Sequence, residues 1–261
     1  MDVTLSLAVV FLAAFLAAAG LVPLAGRVGQ RLGFVDHPRR GEVQTAPVPR
    51  SGGYGIFAAY LVGVGASVLL VPRYPDEYPR LAGLLLGGAL LMPLALIDDW
   101  RRLSPLPQLG WQIAVAFVPI YFGITFDSLA NPFGGVLPLP SVLVLPVTLL
   151  WIVGMINTLN LTDTMDGLAG GVTAIAALVL AAVSLQNGQA SIASLALALA
   201  GATSGFLLFN FHPARVFMGS SGSLFLGYTL GVVAIIGGAK IAAAVMVLGL
   251  PMLDVAWVIV Y

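Results

Sequence analysis

Long apolar stretches separated by short polar segments dominate this sequence and constrain it to a membrane fold. Only 8% of the residues are charged and 59% are hydrophobic, whereas about a quarter of the residues in soluble domains are charged. A helix needs about 20 apolar residues to cross the hydrocarbon core, and several stretches reach that length. Runs such as LLLGGALLMPLALI lack the alternation of a transmembrane β-strand. We therefore predict an all-α, polytopic integral membrane protein with one domain, residues 1–261.

The apolar stretches predict about nine transmembrane helices. Eight of the eleven basic residues fall in alternate connections between them, and basic residues concentrate on the cytoplasmic side. This bias places the N-terminus outside and the polar motifs in the cytoplasm. The segment 126–140 then lies outside, as an irregular or short β excursion. The predicted spans are 4–25, 54–72, 82–98, 109–125, 141–157, 168–186, 190–209, 221–239 and 241–260.

Composition excludes some functions. The chain contains no cysteine, which excludes disulfides and thiol chemistry. Its formal net charge is zero, so it offers no basis for non-specific binding to nucleic acid.

The central polar segment, residues 157–171, lies between two membrane-length apolar stretches. It places Asn157, Asn160, Asp163 and Asp166 at three-residue steps. Ionisable groups near the membrane interior are costly and typical of functional sites. If this segment is helical, its Asn pair and its Asp pair each lie side by side. The alternative is a polar loop whose side chains cap the next helix.

The adjacent carboxylates Asp98 and Asp99 end the third predicted span. Such a pair repels itself, and a nearby cation would relieve the repulsion. Mg²⁺ is usually held by one or two carboxylates together with substrate phosphates. The alternative is an interfacial helix end that Arg101 and Arg102 neutralise.

A glycine- and serine-rich segment, residues 217–227, opens the eighth predicted span. Backbone N–H groups at such a helix start favour phosphate, although small residues also serve helix packing in membranes. His37 and His212 each precede a proline, and we predict structural roles for them. Asp254 in the last span either lines the site or approaches the interface.

These motifs, in this order, resemble the polyprenyl-phosphate N-acetylhexosamine-1-phosphate transferases over nearly the whole chain. The similar segments are 31–53, 96–103, 131–135, 149–171 and 210–227. The sequence PVPRSGG is more similar to the GlcNAc-1-phosphate branch of the family than to the phospho-MurNAc-pentapeptide branch. Three departures stand out. Ser220 replaces the family's Mg²⁺-binding Asp, Thr164 replaces a Gly, and the chain stops at Tyr261 before the family's His-rich motif, so we expect a truncated C-terminus.

The resemblance implies an Mg²⁺-dependent transferase, with Mn²⁺ as an alternative ion. It would move GlcNAc-1-phosphate from a UDP-N-acetylhexosamine to undecaprenyl phosphate and release UMP, the first membrane step of cell-wall or surface polysaccharide synthesis. The expected location is the bacterial plasma membrane, with the active site facing the cytoplasm. The expected partners are the UDP-sugar and the polyprenyl phosphate lipid, a homodimer is allowed for, and nucleic acid is not expected.

The resemblance also implies residue roles. Asp98 would lie nearest the lipid phosphate, as base or orienter. Asp99 and Asp163 would organise the metal and the diphosphate, with Ser220 at the third metal position. Asp166 and Asn210 would hold the nucleotide-sugar side. The residues expected to bind substrate are Asn157, Asn160, Asn210, Arg50, Arg101, Arg102, Arg215, Gly219, Gly222 and Ser223.

Two other functions are considered. Ser220 allows a catalytically impaired homologue that serves as a binding or assembly protein. A membrane transporter would be expected to carry broken helices in inverted halves, but the sequence shows no internal repeat and its polar motifs fall at one face.

Overall fold

The computed structural model describes residues 2–37, 47–101, 103–130 and 136–238. These residues form eight α-helices and two pairs of short antiparallel strands. The elements are α1 Val3–Leu32, β1 Val35–Asp36, β2 Val48–Pro49, α2 Gly52–Leu70, α3 Glu77–Arg101, α4 Pro105–Tyr121, β3 Ser128–Ala130, β4 Val136–Pro138, α5 Ser141–Thr162, α6 Leu168–Gln186, α7 Ala190–Asn210 and α8 Gly219–Ile236.

The prediction of an all-α polytopic membrane protein is confirmed. Seven of the described helices are long and apolar enough to cross a membrane. The remaining one, α4, has 17 residues and overlaps the predicted span 109–125. The ninth predicted span, 241–260, lies outside the described residues together with Asp254, so the count of nine remains a prediction. The predicted β excursion at 126–140 contains β3 and β4, which pair antiparallel.

Helix α8 forms the centre of the bundle. Residues 219–235 are all buried, as expected for a helix that is apolar on every side. It packs against α2, α3 and α5. A Cβ at Gly227 would overlap the carbonyl oxygen of Met155 on α5, and the Tyr228 hydroxyl donates to the carbonyl of Gly83 on α3 at 3.0 Å. Small residues thus allow close packing, and α8 has a fixed position among its neighbours.

Backbone hydrogen bonds join the start of α2 to the start of α8. Strand β2 pairs with β1, and the Pro49 carbonyl accepts from the Phe217 N–H at 2.8 Å. Gly52 donates to the carbonyl of Phe217 at 3.0 Å, and Gly53 donates to that of Met218 at 2.9 Å. The two helix starts therefore lie side by side.

The polar motifs gather at one end of the bundle, which we call the motif end. It contains the last turns of α3, α5 and α7 and the first turns of α2, α6 and α8, as the contacts below show. The sequence predicted that these motifs would share one face. The structure confirms that they meet, while the side of the membrane remains a prediction.

Candidate active site

Asp98, near the end of α3, has both carboxylate oxygens occupied by protein donors. Oδ1 accepts a hydrogen bond from the backbone N–H of Leu103 at 3.0 Å. Oδ2 accepts from the hydroxyl of Ser220 on α8. The loop after α3 and the start of α8 therefore hold this carboxylate in place from two sides.

Asp99 differs from its neighbour because one of its oxygens is left open. Oδ1 accepts from the backbone N–H of Ser220 at 3.1 Å and lies 3.6 Å from Nη2 of Arg50. Oδ2 is buried without a hydrogen-bond partner, and the side chain is only 3% exposed. A buried charged oxygen without a partner is costly, and such an atom calls for an explanation such as an ion. Asp99 therefore suits a bound cation.

Within the described residues, Asp99 pairs with an arginine other than the two proposed to neutralise this helix end. The ion pair of Asp99 is with Arg50, from the loop before α2. The guanidinium of Arg101 instead lies over the ring of Trp100 at 5.5 Å. Arg215, in the loop before α8, donates to the carbonyl of Leu208 near the end of α7 at 3.1 Å. Arg102 lies outside the described residues.

The start of α8, predicted to bind phosphate, packs closely against α2 and donates a backbone hydrogen bond to Asp99. Gly219 has φ +67°, and a Cβ there would overlap the Arg50 carbonyl and lie 3.3 Å from Oδ1 of Asp99. Gly222 meets the backbone of Gly53, where α2 and α8 cross closely. The glycines thus serve packing, and the N–H of Ser220 binds a protein carboxylate in this structure.

The two asparagines of the central segment connect α5 to its neighbours. The amide of Asn157 donates to Oε1 of Gln112 on α4 at 2.7 Å and to the carbonyl of Val153 at 2.8 Å. The amide of Asn160 donates to the hydroxyl of Ser223 on α8 at 2.9 Å. Both are predicted substrate-binding residues that also have structural partners. Gln112 is buried and carried no motif that could have identified it.

The two aspartates of that segment do not share a helical face. Helix α5 ends at Thr162, so Asp163 and Asp166 lie in the turn before α6, and the helical arrangement proposed for this pair is wrong. The N-cap of α6 is the left-handed Gly167, φ +76°, which has no side chain to cap the helix. The capping alternative therefore fails as well.

Asp163 lies among several charges at the motif end. Burial raises the pKa of its carboxyl to about 7; the positive Arg50 offsets part of this rise, and the negative Asp166 and Asp99 add to it. The carboxyl is therefore partly protonated at neutral pH. A cation would favour its charged form.

Asp166 binds the loop between α7 and α8. Its Oδ2 accepts from the backbone N–H of Ala214 at 3.1 Å and lies 3.1 Å from Nδ1 of His212. Asn210 is buried, and its amide accepts from the N–H of Gly167 at 2.9 Å and donates to the carbonyl of Val216 at 3.0 Å. These contacts fix the turn before α6 against the loop before α8.

The site contains oxygen atoms that could bind a metal ion. Asp99 and Asp163, with the Ser220 hydroxyl close to Asp98, supply oxygen ligands of the kind that Mg²⁺ prefers. In the described part of the chain, no group of three or more His, Asp or Glu side chains could hold a metal ion. Two carboxylates are enough where substrate phosphates complete the coordination. One neighbour, Tyr54 on α2, was missed because SGGYG resembles an ordinary helix start.

Comparison with known proteins shows which family the chain belongs to. The sequence model of glycosyl transferase family 4 matches residues 81–238. The chain is 34% identical, over 97% of its length, to a probable undecaprenyl-phosphate N-acetylglucosaminyl 1-phosphate transferase of Bacillus subtilis, of which it covers 70%. It is 35% identical, over 77% of its length, to a decaprenyl-phosphate N-acetylglucosaminephosphotransferase of Mycolicibacterium smegmatis, of which it spans 52%. A phospho-N-acetylmuramoyl-pentapeptide-transferase of Heliobacterium modesticaldum is 33% identical over 83% of the chain.

Proposed function

The chain belongs to glycosyl transferase family 4, and from this premise we propose that it transfers N-acetylglucosamine-1-phosphate from a UDP-sugar to undecaprenyl phosphate, releasing UMP. The unpartnered oxygen of Asp99 carries the proposal, since it lies at a charged site where motifs distant in the sequence meet. The location that follows is a bacterial plasma membrane with the motif end in the cytoplasm. There the site can reach both a lipid phosphate and a soluble nucleotide.

The chemical problem in this reaction is charge. A phosphate monoester has a second pKa near 6, so the lipid phosphate is mostly a dianion at neutral pH and needs no strong base. One of its oxygens attacks the β-phosphorus of the UDP-sugar; a new P–O bond forms, and the bond to the bridging oxygen breaks to release UMP. No proton has to move, but two anions must approach each other.

The residues of the motif end can meet this demand. Asp99 and Asp163 would hold Mg²⁺, which supplies neutralising charge to the phosphates, as in phosphoryl transfer generally. Arg50 is the cation beside Asp99 and can bind a phosphate oxygen. Asp98 has both oxygens occupied, so among its two predicted roles the orienting one is favoured over that of a base.

The nucleotide-sugar side is assigned to the turn before α6 and the loop before α8. Asp166 and Asn210 connect these two segments. We propose that Asp166 contacts the nucleotide-sugar and that Asn210 shapes its pocket through the backbone of Gly167 and Val216.

A second candidate is a homologue that binds the same ligands without turnover. Ser220 favours it, because a hydroxyl at that position contributes no negative charge beside Asp98. A transporter is disfavoured because the polar sequence motifs gather at one end of the bundle and the chain belongs to a transferase family.

The test uses the purified chain in lipid nanodiscs with UDP-GlcNAc, undecaprenyl phosphate and Mg²⁺. Release of UMP that needs the lipid phosphate and Mg²⁺ supports the transferase, and Asp99→Asn serves as the inactive control. Release of UDP would mean that the sugar moves alone and would refute the proposal. Saturable binding of UDP-GlcNAc without any product at any Mg²⁺ concentration would favour the second candidate.

A further inference from the structure

Tyr54 occupies a rigid position at the motif end. It is the third residue of α2, directly after Gly52 and Gly53, whose N–H groups bond to the loop before α8. The start of α2 is therefore fixed against the start of α8. The backbone that carries the phenol ring is fixed with it.

The hydroxyl oxygen of Tyr54 is buried and has no hydrogen-bond partner. The Ser221 hydroxyl lies near it without forming a bond of normal geometry, and Asp99 is close enough to interact with it electrostatically. Buried tyrosine hydroxyls usually find a partner. This phenol is thus an unused donor beside the carboxylate of the site.

A hydrogen-bond donor and a hydrogen-bond acceptor, both without a partner, therefore lie near each other. Oδ2 of Asp99 is a buried acceptor without a donor, and the Tyr54 hydroxyl is a buried donor without an acceptor. Had the two bonded directly, neither would need a ligand. Left unpaired, the carboxylate suits a cation and the phenol suits an anionic oxygen, and a phosphate accompanied by a metal ion brings both.

We propose that the Tyr54 hydroxyl donates a hydrogen bond to a phosphate oxygen of the substrate that is held beside Asp99. This inference rests on the proposed function, because it takes the ligand to be a phosphate ester or diphosphate. The phenol adds a donor without adding charge. It therefore positions the phosphate, and Arg50 and the cation neutralise it.

The first experiment measures equilibrium binding, with one substrate present at a time so that no turnover occurs. Tyr54→Phe removes only the hydroxyl. It weakens binding of either UDP-GlcNAc or undecaprenyl phosphate, in Mg²⁺, by roughly 10-fold, as expected for the loss of a hydrogen bond to a charged group. The affected ligand identifies which phosphate the phenol contacts. The thermal midpoint of the ligand-free protein does not fall, since the lost hydroxyl had no partner.

Tyr60→Phe is the matched control. Tyr60 lies on the same helix, is 1% exposed, and also has a buried hydroxyl without a partner, but it interacts electrostatically with Arg73, in the connection between α2 and α3. Its substitution leaves the binding of both substrates unchanged. In turnover assays, Tyr54→Phe raises the KM of the affected substrate more than it lowers kcat.

The outcomes separate this inference from the proposed function. If the parent chain releases no UMP but Tyr54→Phe still weakens binding of one phosphate ligand, the inference stands without the transferase activity. If Tyr54→Phe binds both ligands with the same affinity as the parent chain, the assignment of Tyr54 is overturned. It is also overturned if Tyr60→Phe weakens the binding of a ligand as much as Tyr54→Phe does.

Discussion

The hydroxyl of Ser220 donates a hydrogen bond to Oδ2 of Asp98, and the backbone N–H of Ser220 donates to Oδ1 of the adjacent Asp99. One residue at the start of α8 thus holds both carboxylates at the end of α3. The two carboxylates nevertheless differ in their hydrogen bonding. Each oxygen of Asp98 accepts a hydrogen bond from the protein, whereas Asp99 keeps one buried oxygen without a partner.

Substitution of the site carboxylates by asparagine is expected to lower turnover strongly. Asp98→Asn, Asp99→Asn and Asp163→Asn each reduce kcat by about 100-fold or more, because preorganised charges act on the transition state. Each variant keeps a near-normal folded yield. Asp2→Asn and Asp127→Asn change carboxylates that have no contact with the site and have little effect. Equal activity in all five variants would place the active site elsewhere.

The raised pKa of Asp163 predicts how stability depends on pH. Because the pKa of this carboxyl rises on folding to about 7, the folded protein binds more protons than the unfolded chain between about pH 4 and pH 7. The stabilisation that this group contributes is fully present below about pH 4, the pKa in the unfolded chain, and is lost as the pH rises through 7. Without divalent metal, the thermal midpoint therefore decreases from pH 5 to pH 8, and Asp163→Asn flattens that decrease. An equal decrease in the variant would show that other groups cause it.

Asn210 is expected to matter for stability. Asn210→Ala leaves the N–H of Gly167 and the carbonyl of Val216 without their present partner, at a cost of about 1–3 kcal/mol for each buried group. Thermal unfolding in nanodiscs measures the loss. Asp127→Ala, at an exposed position of the opposite end, is the control and changes the midpoint little. A midpoint equal to that of the parent chain would mean that water or rearrangement satisfies both groups.

The sequence predicted the fold well because its strongest signals are local. Apolar runs of membrane length give α6 its bounds of 168–186 without correction, and alternating basic loops indicated that the motifs meet at one end. The details of the site depend on the paths of loops. The three-residue steps from Asn157 to Asp166 look helical throughout, but the chain leaves the helix after Thr162. No pattern distinguishes the occupied Asp98 from the open Asp99, since that difference comes from where Ser220 lies in space.

The side of the membrane can be tested directly because the chain contains no cysteine. Single cysteines at Ser104 and Ala214, both at the motif end, are expected to react with an impermeant maleimide only from the cytoplasm. A cysteine at the exposed Asn187, in the turn after α6, is expected to react only from outside. The basic-residue bias is the reason for this orientation. Opposite labelling at any two positions would reverse it.

The last prediction concerns Ser220 itself. Ser220→Asp removes the donor to Asp98 and places a third carboxylate beside Asp98 and Asp99. Without a divalent cation the like charges repel, so the variant unfolds at a lower temperature than the parent chain. With Mg²⁺ the added ligand raises the occupancy of the metal, and activity increases far more at about 1 mM Mg²⁺ than at saturating metal, given that even outer partners of a metal are commonly worth about 10–100-fold. Ser220→Asn is the control, because asparagine has nearly the same size as aspartate but carries no charge. If both variants show the same Mg²⁺ dependence of stability and activity, Ser220 does not occupy a metal position and the ion, if one binds, is held by Asp99 and Asp163 alone.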